Sequence, residues 1–214
     1  MPGIRNPAFA ALLLVLSACA SAPPPGFGIE PDPAVGAAVA ATARAVAGRE
    51  VAVVVHVGHA VCAELRPDRS VHVWRGLLLR TQDARELAFA LAHELAHEAL
   101  AHPFPARGAA RDVEQELAAD ARAREILAAA GFDPAAGAVL LRALREEATA
   151  MGADEVATAE LDRRLVAFGA VLRPRNVGLP DPWRAVWLER RGAWLADDPA
   201  SGDPRRLAAA TRAR

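Results

Sequence analysis

The sequence predicts a mostly helical domain with two short strands, set behind an export signal and a stiff tether. Three observations carry this reading. Ala dominates the long segments of a chain that is 53% hydrophobic, which favours helix wherever Gly and Pro do not interrupt. Two short Val-rich runs, residues 51–57 and 71–74, depart from that pattern. A periodic apolar segment over residues 84–102 is bounded by a capping residue and a proline. With 214 residues the chain has room for one ordinary domain and a short leader. Its 25 cations, all Arg, face 26 acids for a formal charge of −1, so the composition argues against a nucleic acid as partner.

Residues 1–18 hold one early cation, Arg5, then an apolar run over 8–16 and the small residues Ser17 and Ala18 ahead of Cys19. This is the layout of an export signal, and the run falls short of the roughly 20 residues that a membrane span needs. Leu16, Ser17, Ala18 and Cys19 in that order resemble a bacterial lipoprotein box. The resemblance implies cleavage before Cys19 and a lipid on its sulfur, with each buried methylene contributing about 0.8 kcal/mol to anchoring. Pro23, Pro24, Pro25, Pro31 and Pro33 exclude helix or central strand and leave an extended tether. The expected organisation is a signal peptide over 1–18, a lipidated Cys and tether over 19–33, and one folded domain over 34–214. Ala20 stands where an Asp would signal inner-membrane retention, which favours the periplasmic face of the outer membrane. Acylation of Cys19 leaves Cys62 as a lone thiol that cannot form an intrachain disulfide, and its apolar setting marks it as a small buried hydrophobe.

Within the domain, the Ala-rich segment 34–48 predicts a first helix and residues 51–57 a buried strand. In a second strand over 71–74, Val71 and Val73 face one side while His72 and Trp74 face the other. Asp83 with Glu86 three positions later can start a helix that runs to about residue 102 and is stopped by Pro103. A further helix covers about 112–130 and is closed by Gly131; the next starts at Asp133 with Pro134 in its first turn. Helices are also expected over 154–168, 182–195 and the C-terminal tail.

On the long helix His93, Glu94, Leu95, Ala96 and His97 spell HExxH, the pattern of a zinc metallopeptidase helix. Residues four apart are offset by only about 40° and one turn, so the two imidazoles can converge on one ion. Glu94 is near both in angle, close enough to take a proton from a water at the metal, and is the candidate general base. His102 lies nine positions past His93, about 180° around an ideal helix, and is expected to face elsewhere as a helix-end histidine. Glu98 is rotated about 140° from His93 and is not the base.

Zinc with two histidines needs a third protein ligand and keeps one position for water or substrate. Glu116 is the candidate. It shares a helical face with Asp120 one turn on, and such a like-charged pair asks for a cation, whether a metal or Arg124. Asp120 would accept the remaining ring proton of a ligand histidine and fix its tautomer. Two nitrogens and one carboxylate suit one Zn2+ per chain. His56, His59 and His72 read as ordinary strand-face histidines.

HELAH at 93–97, ELAAD at 116–120 and AGFDP at 130–134 resemble the metallopeptidase family containing HtpX, BepA and the CAAX prenyl endopeptidases. VHVWRGLL at 71–78 resembles the family's active-site edge strand, and His59, Ala60 and Val61 stand where the family has Asn-Ala-Phe. The resemblance covers residues 34–150. It implies an α+β, gluzincin-type zincin-like domain with a small β-sheet beside the active-site helix. It also implies His93, His97 and Glu116 as ligands, Glu94 as base and Asp120 as the orienting acid. Substrate is expected to add as a strand along Val71, His72, Val73 and Trp74.

Three departures are visible. Only residues 98–115 separate His97 from Glu116, which leaves no room for a long helical insertion. The family's late His-Pro motif is echoed only by Asp198, Pro199, Arg205 and Arg206. With no Tyr in the chain, Arg173, Arg175 or Arg184 are the candidates to stabilise an oxyanion. The function implied is a zinc-dependent endopeptidase of the bacterial envelope acting on misfolded envelope polypeptides. The rival is a noncatalytic zinc-containing scaffold that docks clients on Trp183, Trp187 and Trp194; a murein-associated hydrolase is the third reading.

Overall fold

The first helix, α1 (Pro33–Ala47), starts where Asp32 caps the Ala34 N–H at 2.9 Å and Pro33 supplies a preset φ. It ends at Gly48, whose φ of 65° closes the last turn through a bond to the Arg44 carbonyl. The computed structural model describes residues 28–58, 60–81, 83–104, 112–150, 152–153, 155–169 and 182–197. The signal segment, Cys19, His59, Arg173, Arg175, Asp198, Pro199, Arg205 and Arg206 lie outside them. The end of the expected tether does not: residues 28–30 pair with the first strand through Glu30 N–H to Val55 O and Val57 N–H to Gly28 O, each 2.9 Å. Glu30 then accepts from Arg75 at 2.9 Å, a largely buried ion pair that ties this segment to the domain.

After α1 come β1 (Val53–His56), β2 (Ala63–Leu65) and β3 (Val71–Trp74), followed by the single turn α2 (Arg75–Leu78). The sheet order is β1-β3-β2, with β1 parallel and β2 antiparallel to β3. This corrects the expectation that Val71, His72, Val73 and Trp74 form an edge strand. The strand is central, and both of its hydrogen-bonding rows are used. The reason is a hairpin the composition hides: Pro67 and Asp68 make the turn, Arg69 takes a φ of 65°, and Arg66 N–H returns to Ser70 O at 2.9 Å. That turn folds a three-residue strand back onto β3.

The long helix α3 (Ala84–Ala99) is capped by Asp83, which accepts from Arg85 and Glu86 N–H. Residues 87–97 are buried on every face, because sheet, α1 and the later helices surround it. The remaining helices are α4 (Val113–Ala129), α5 (Ala136–Ala150), α6 (Glu155–Phe168) and α7 (Pro182–Asp197). Two differ from expectation at their starts or ends. Asp133 accepts from Ala135 N–H in a local turn, so α5 begins three residues late, and α3 stops at Ala99. Gly137 permits the close approach of α5 to α3: a Cβ there would meet the Phe89 ring at 2.5 Å and Phe168 at 2.7 Å.

Trp183, Trp187 and Trp194 are buried in the core rather than displayed. Trp183 donates its indole N–H to Thr81 O at 2.7 Å, locking α7 beside the start of α3. These side chains therefore form no docking surface. Cys62 is buried as expected, but it is disulfide-bonded, which corrects the expectation of a lone thiol. Among the described residues no helix is long and apolar enough to cross a membrane.

The face of the sheet turned from α3 carries a polar chain. Asp68 accepts from Ser70 Oγ at 2.6 Å, Ser70 Oγ lies 3.0 Å from His72 Nε2, and His72 Nδ1 lies 2.8 Å from His56 Nε2. His56 also stacks on Trp74. The strand histidines thus belong to a structural network, in keeping with the sequence reading of His56 and His72. Burial first, and then the charge of Arg66, push the His72 pKa from 6.5 down to about 4. The unfolded chain therefore binds this proton first, so the contribution to stability is full above pH 6.5 and is lost as pH falls toward 4. Urea midpoints measured across that window should fall more steeply for the wild type than for His72→Asn, and equal slopes would remove His72 as the titrating group. Gly137→Ala should lower stability by about 1–3 kcal/mol through overpacking against Phe89, read from the same urea curves at neutral pH.

Candidate metal centre

His93 and His97 lie one turn apart on α3, with rings at 88° and Nε2 atoms 3.1 Å from each other. Helix α4 delivers Glu116, whose Oε2 is 3.0 Å from His93 Nε2 and whose Oε1 is 3.5 Å from His97 Nε2. One ligand atom from each of these three residues lies within 4.8 Å of the others, a grouping that can hold a metal ion. Local sequence explains the placement. Asp112 caps α4 by accepting from Glu114 N–H, and the close packing of α3 on α4 is allowed by the small residues Ala92, Ala96, Ala119 and Ala123, all buried.

Asp120, one turn past Glu116, takes His93 Nδ1–H at 2.9 Å. An ionised carboxylate only accepts, so the ring proton sits on Nδ1 and the Nε2 lone pair faces the Glu116 carboxylate. Two acceptors 3.0 Å apart repel unless a cation or a proton lies between them. The electrostatics agree. Burial alone would lower the His93 pKa, yet hydrogen bonding and charge from Asp120 and Glu116 raise it well above the usual imidazole range. A proton thereby marks the place where positive charge is wanted.

Sequence reasoning missed the fourth partner. Arg164 of α6 is fully buried and donates to both Asp120 oxygens at 2.7 Å, while its Nη1 lies 3.4 Å from Glu116 Oε2. Burial by itself would raise the Asp120 pKa; the Arg164 charge, followed by the His93 and Arg164 hydrogen bonds, holds it below the usual carboxylate range. Arg164 had no local signal among 25 arginines, and its partner could be found only by asking what balances two buried acids. Arg124, the bland alternative for that role, instead sits 5.2 Å over the Phe168 ring.

Glu94 is 4% exposed and its Oε2 accepts the Leu65 backbone N–H of β2 at 3.0 Å. Among the described residues, three buried carboxylates, Glu94, Glu116 and Asp120, share this junction with one buried guanidinium, an acidic setting that suits a divalent cation. The donor set of two imidazoles and a carboxylate fits zinc with an open position.

His102 does not face elsewhere. Helix α3 ends in a Schellman turn: His102 N–H bonds His97 O and Ala101 N–H bonds Glu98 O, each at 3.0 Å, with Ala101 at φ 53°. This reverses the chain and sets His102 Nδ1 at 2.8 Å from His97 Nδ1, behind the ligand ring. The expectation assumed an ideal helix that had already stopped. Arg184 is exposed on α7.

Replacing Arg164 with Met should leave two buried acids without their counter-charge and cost about 3–5 kcal/mol in the metal-free protein. Excess zinc should recover part of that loss, so melting with chelator and with metal separates the two contributions; an unchanged metal-free Tm would show that Arg164 does not balance the acids.

Residues 34–107 match the family model described as Peptidase family M48, a span that contains the sheet and both histidines of the HExxH helix. No curated protein matches the chain. That match spans about a third of the chain; with the three-residue group that Glu116 completes, it marks a metallopeptidase, a hydrolase acting on peptide bonds, similar over those residues to family M48.

Proposed function

We propose that the protein is a zinc-dependent endopeptidase of the bacterial cell envelope that cleaves unfolded or misfolded polypeptides, with Glu94 as general base. The observation that supports this best is the His93, His97 and Glu116 group, whose ligand atoms converge beside the buried Glu94 carboxylate on the same helix as the histidines. These three residues would hold zinc, which supplies Lewis acidity toward a peptide carbonyl and a lowered pKa for water. Glu94 takes a proton from the attacking water and returns it to the leaving amine. Asp120 keeps His93 in the tautomer that offers Nε2, and Arg164 keeps Asp120 ionised and oriented.

The substrate strand belongs at β2 in this reading, since β3 is occupied on both sides. Cys62 and Arg66 bond to β3, so the intervening Ala63 and Leu65 turn their backbone groups away from it. Leu65 N–H is held by Glu94. A chain adding there would meet the base directly, and main-chain pairing is indifferent to side-chain identity, which suits unfolded substrates.

Export and a lipid on Cys19 rest on the order of residues 1–19. A sulfur in a thioether cannot also be in a disulfide, and the chain has only two cysteines, so the bond at Cys62 and the lipid on Cys19 compete as readings. Fatty-acid labelling of the cell-expressed protein, lost in Cys19→Ala, is the outcome expected for the anchor; an unlabelled mature protein would leave it a secreted or unanchored domain. The scaffold reading has lost its tryptophan surface and now rests on nothing in the described residues.

Glu94→Gln should bind zinc with wild-type stoichiometry while its kcat on casein falls by about 10²–10⁴, the usual contribution of a positioned base. Turnover within a few-fold of wild type would remove Glu94 from that role. Intact clients after incubation with the zinc-loaded wild type would instead support the scaffold.

A further inference from the structure

We propose that His102 is a positioning residue for the metal centre: its Nδ1 accepts the Nδ1–H of His97 and so fixes the tautomer that turns the His97 Nε2 lone pair toward Glu116 and His93. The proposal rests on the metallopeptidase reading of this site and names how the second of its two histidines is held.

The argument begins with an inequality between the two rings. His93 has an acid behind it, Asp120 at 2.9 Å, whose carboxylate can only accept. Behind His97 the contact is to another imidazole at 2.8 Å. A neutral imidazole donates from one nitrogen and accepts at the other, so one of the two facing Nδ1 atoms carries the proton and the other does not. If His102 donated, His97 would carry its proton on Nε2, which lies 3.1 Å from His93 Nε2 and 3.5 Å from Glu116 Oε1, and could not present a lone pair there. Metal binding at His97 Nε2 therefore requires His102 as the acceptor, with its own proton on Nε2.

Backbone geometry supports a built arrangement. In a Schellman turn the second residue past the cap lies over the residue three before it, and an apolar contact commonly joins the two. Here both positions are histidines and a nitrogen-to-nitrogen hydrogen bond stands in that place. His102 is tied to His97 twice, through its N–H to the His97 carbonyl at 3.0 Å and through its ring. The turn requires Ala101 at φ 53°, a conformation that costs a residue with a Cβ about 1–2 kcal/mol and that Gly would take freely.

His102→Leu keeps bulk and removes the acceptor, whereas His102→Asn offers an oxygen where Nδ1 stands. Zinc affinity, measured by competition with a chromophoric chelator, should fall by about 10–100-fold in His102→Leu and stay within a few-fold of wild type in His102→Asn. The visible spectrum of the cobalt-substituted Leu variant should change, and that of the Asn variant should match wild type. Should His102→Leu fail to fold, the ratio between His102→Asn and His102→Ala gives the same reading. Wild-type affinity in the Leu and Ala variants overturns the proposal, as does an equal loss in Leu and Asn, which would mean that an accepting atom at this position does not hold His97. Failure of the underlying reading looks different: wild type would bind no zinc, or His97→Ala would bind it as tightly as wild type.

Discussion

The rest of this domain depends on a cluster of acids buried where three helices meet. Among the described residues, Glu94, Glu116 and Asp120 are buried together, and Arg164 pairs with Asp120 and lies beside Glu116. A buried charge costs several kcal/mol unless it is paired, so such a cluster favours a proton, the direction in which Asp120 and Glu116 shift the His93 pKa, or a cation. A dication held by His93, His97 and Glu116 would offset that cost. Folding and metal binding are then coupled, because the ligands come from α3 and α4 while the balancing guanidinium comes from α6. The three helices meet correctly only when the charges at their junction are settled.

The parts of this site that were legible in the sequence are those whose geometry is local. His93 and His97, and Glu116 and Asp120, are each four apart on one helix, and that spacing alone puts each pair on one face. Asp83 and Asp112 likewise announced the starts of α3 and α4. What escaped is nonlocal or lies at an element's end. Arg164 is separated from Asp120 by 44 positions and resembles any other surface arginine until the fold closes over it. The central place of β3 depends on β2, only three residues long, too short for a period-2 pattern to register. Pro67 and Asp68 carried the signal for that hairpin, in turn chemistry rather than in hydrophobicity. His102 was misplaced because helical angles were extended beyond Ala99, where the chain leaves the helix.

The same distinction separates the tryptophans from the docking surface first considered for them. Trp183 and Trp187 are one turn apart, and spacing of that kind describes a face without saying what covers it. Helix α7 lays that face against α1 and α3, and the hydrogen bond from Trp183 to Thr81 O satisfies the indole N–H of Trp183. Phe89 performs a comparable task nearer the site. It sits one turn before His93, its ring touches the space that Gly137 leaves free, and it stacks edge-on against Phe168. The walls of the metal centre are thus made by close approach of helices, with little latitude for a ring to reorient.

The unequal support of the two histidines fits this electrostatic frame. Had His97 been backed by a second carboxylate, as His93 is by Asp120, one more acid would be buried at a junction that already holds Glu94, Glu116 and Asp120. A neutral imidazole supplies the accepting lone pair at no cost in charge. With His102 in that place no further acid joins Glu94, Glu116 and Asp120 beside Arg164, which keeps the desolvation cost of the cluster lower. The turn that brings His102 back to His97, left-handed at Ala101, is in this sense part of the charge balance of the site and not merely the end of a helix.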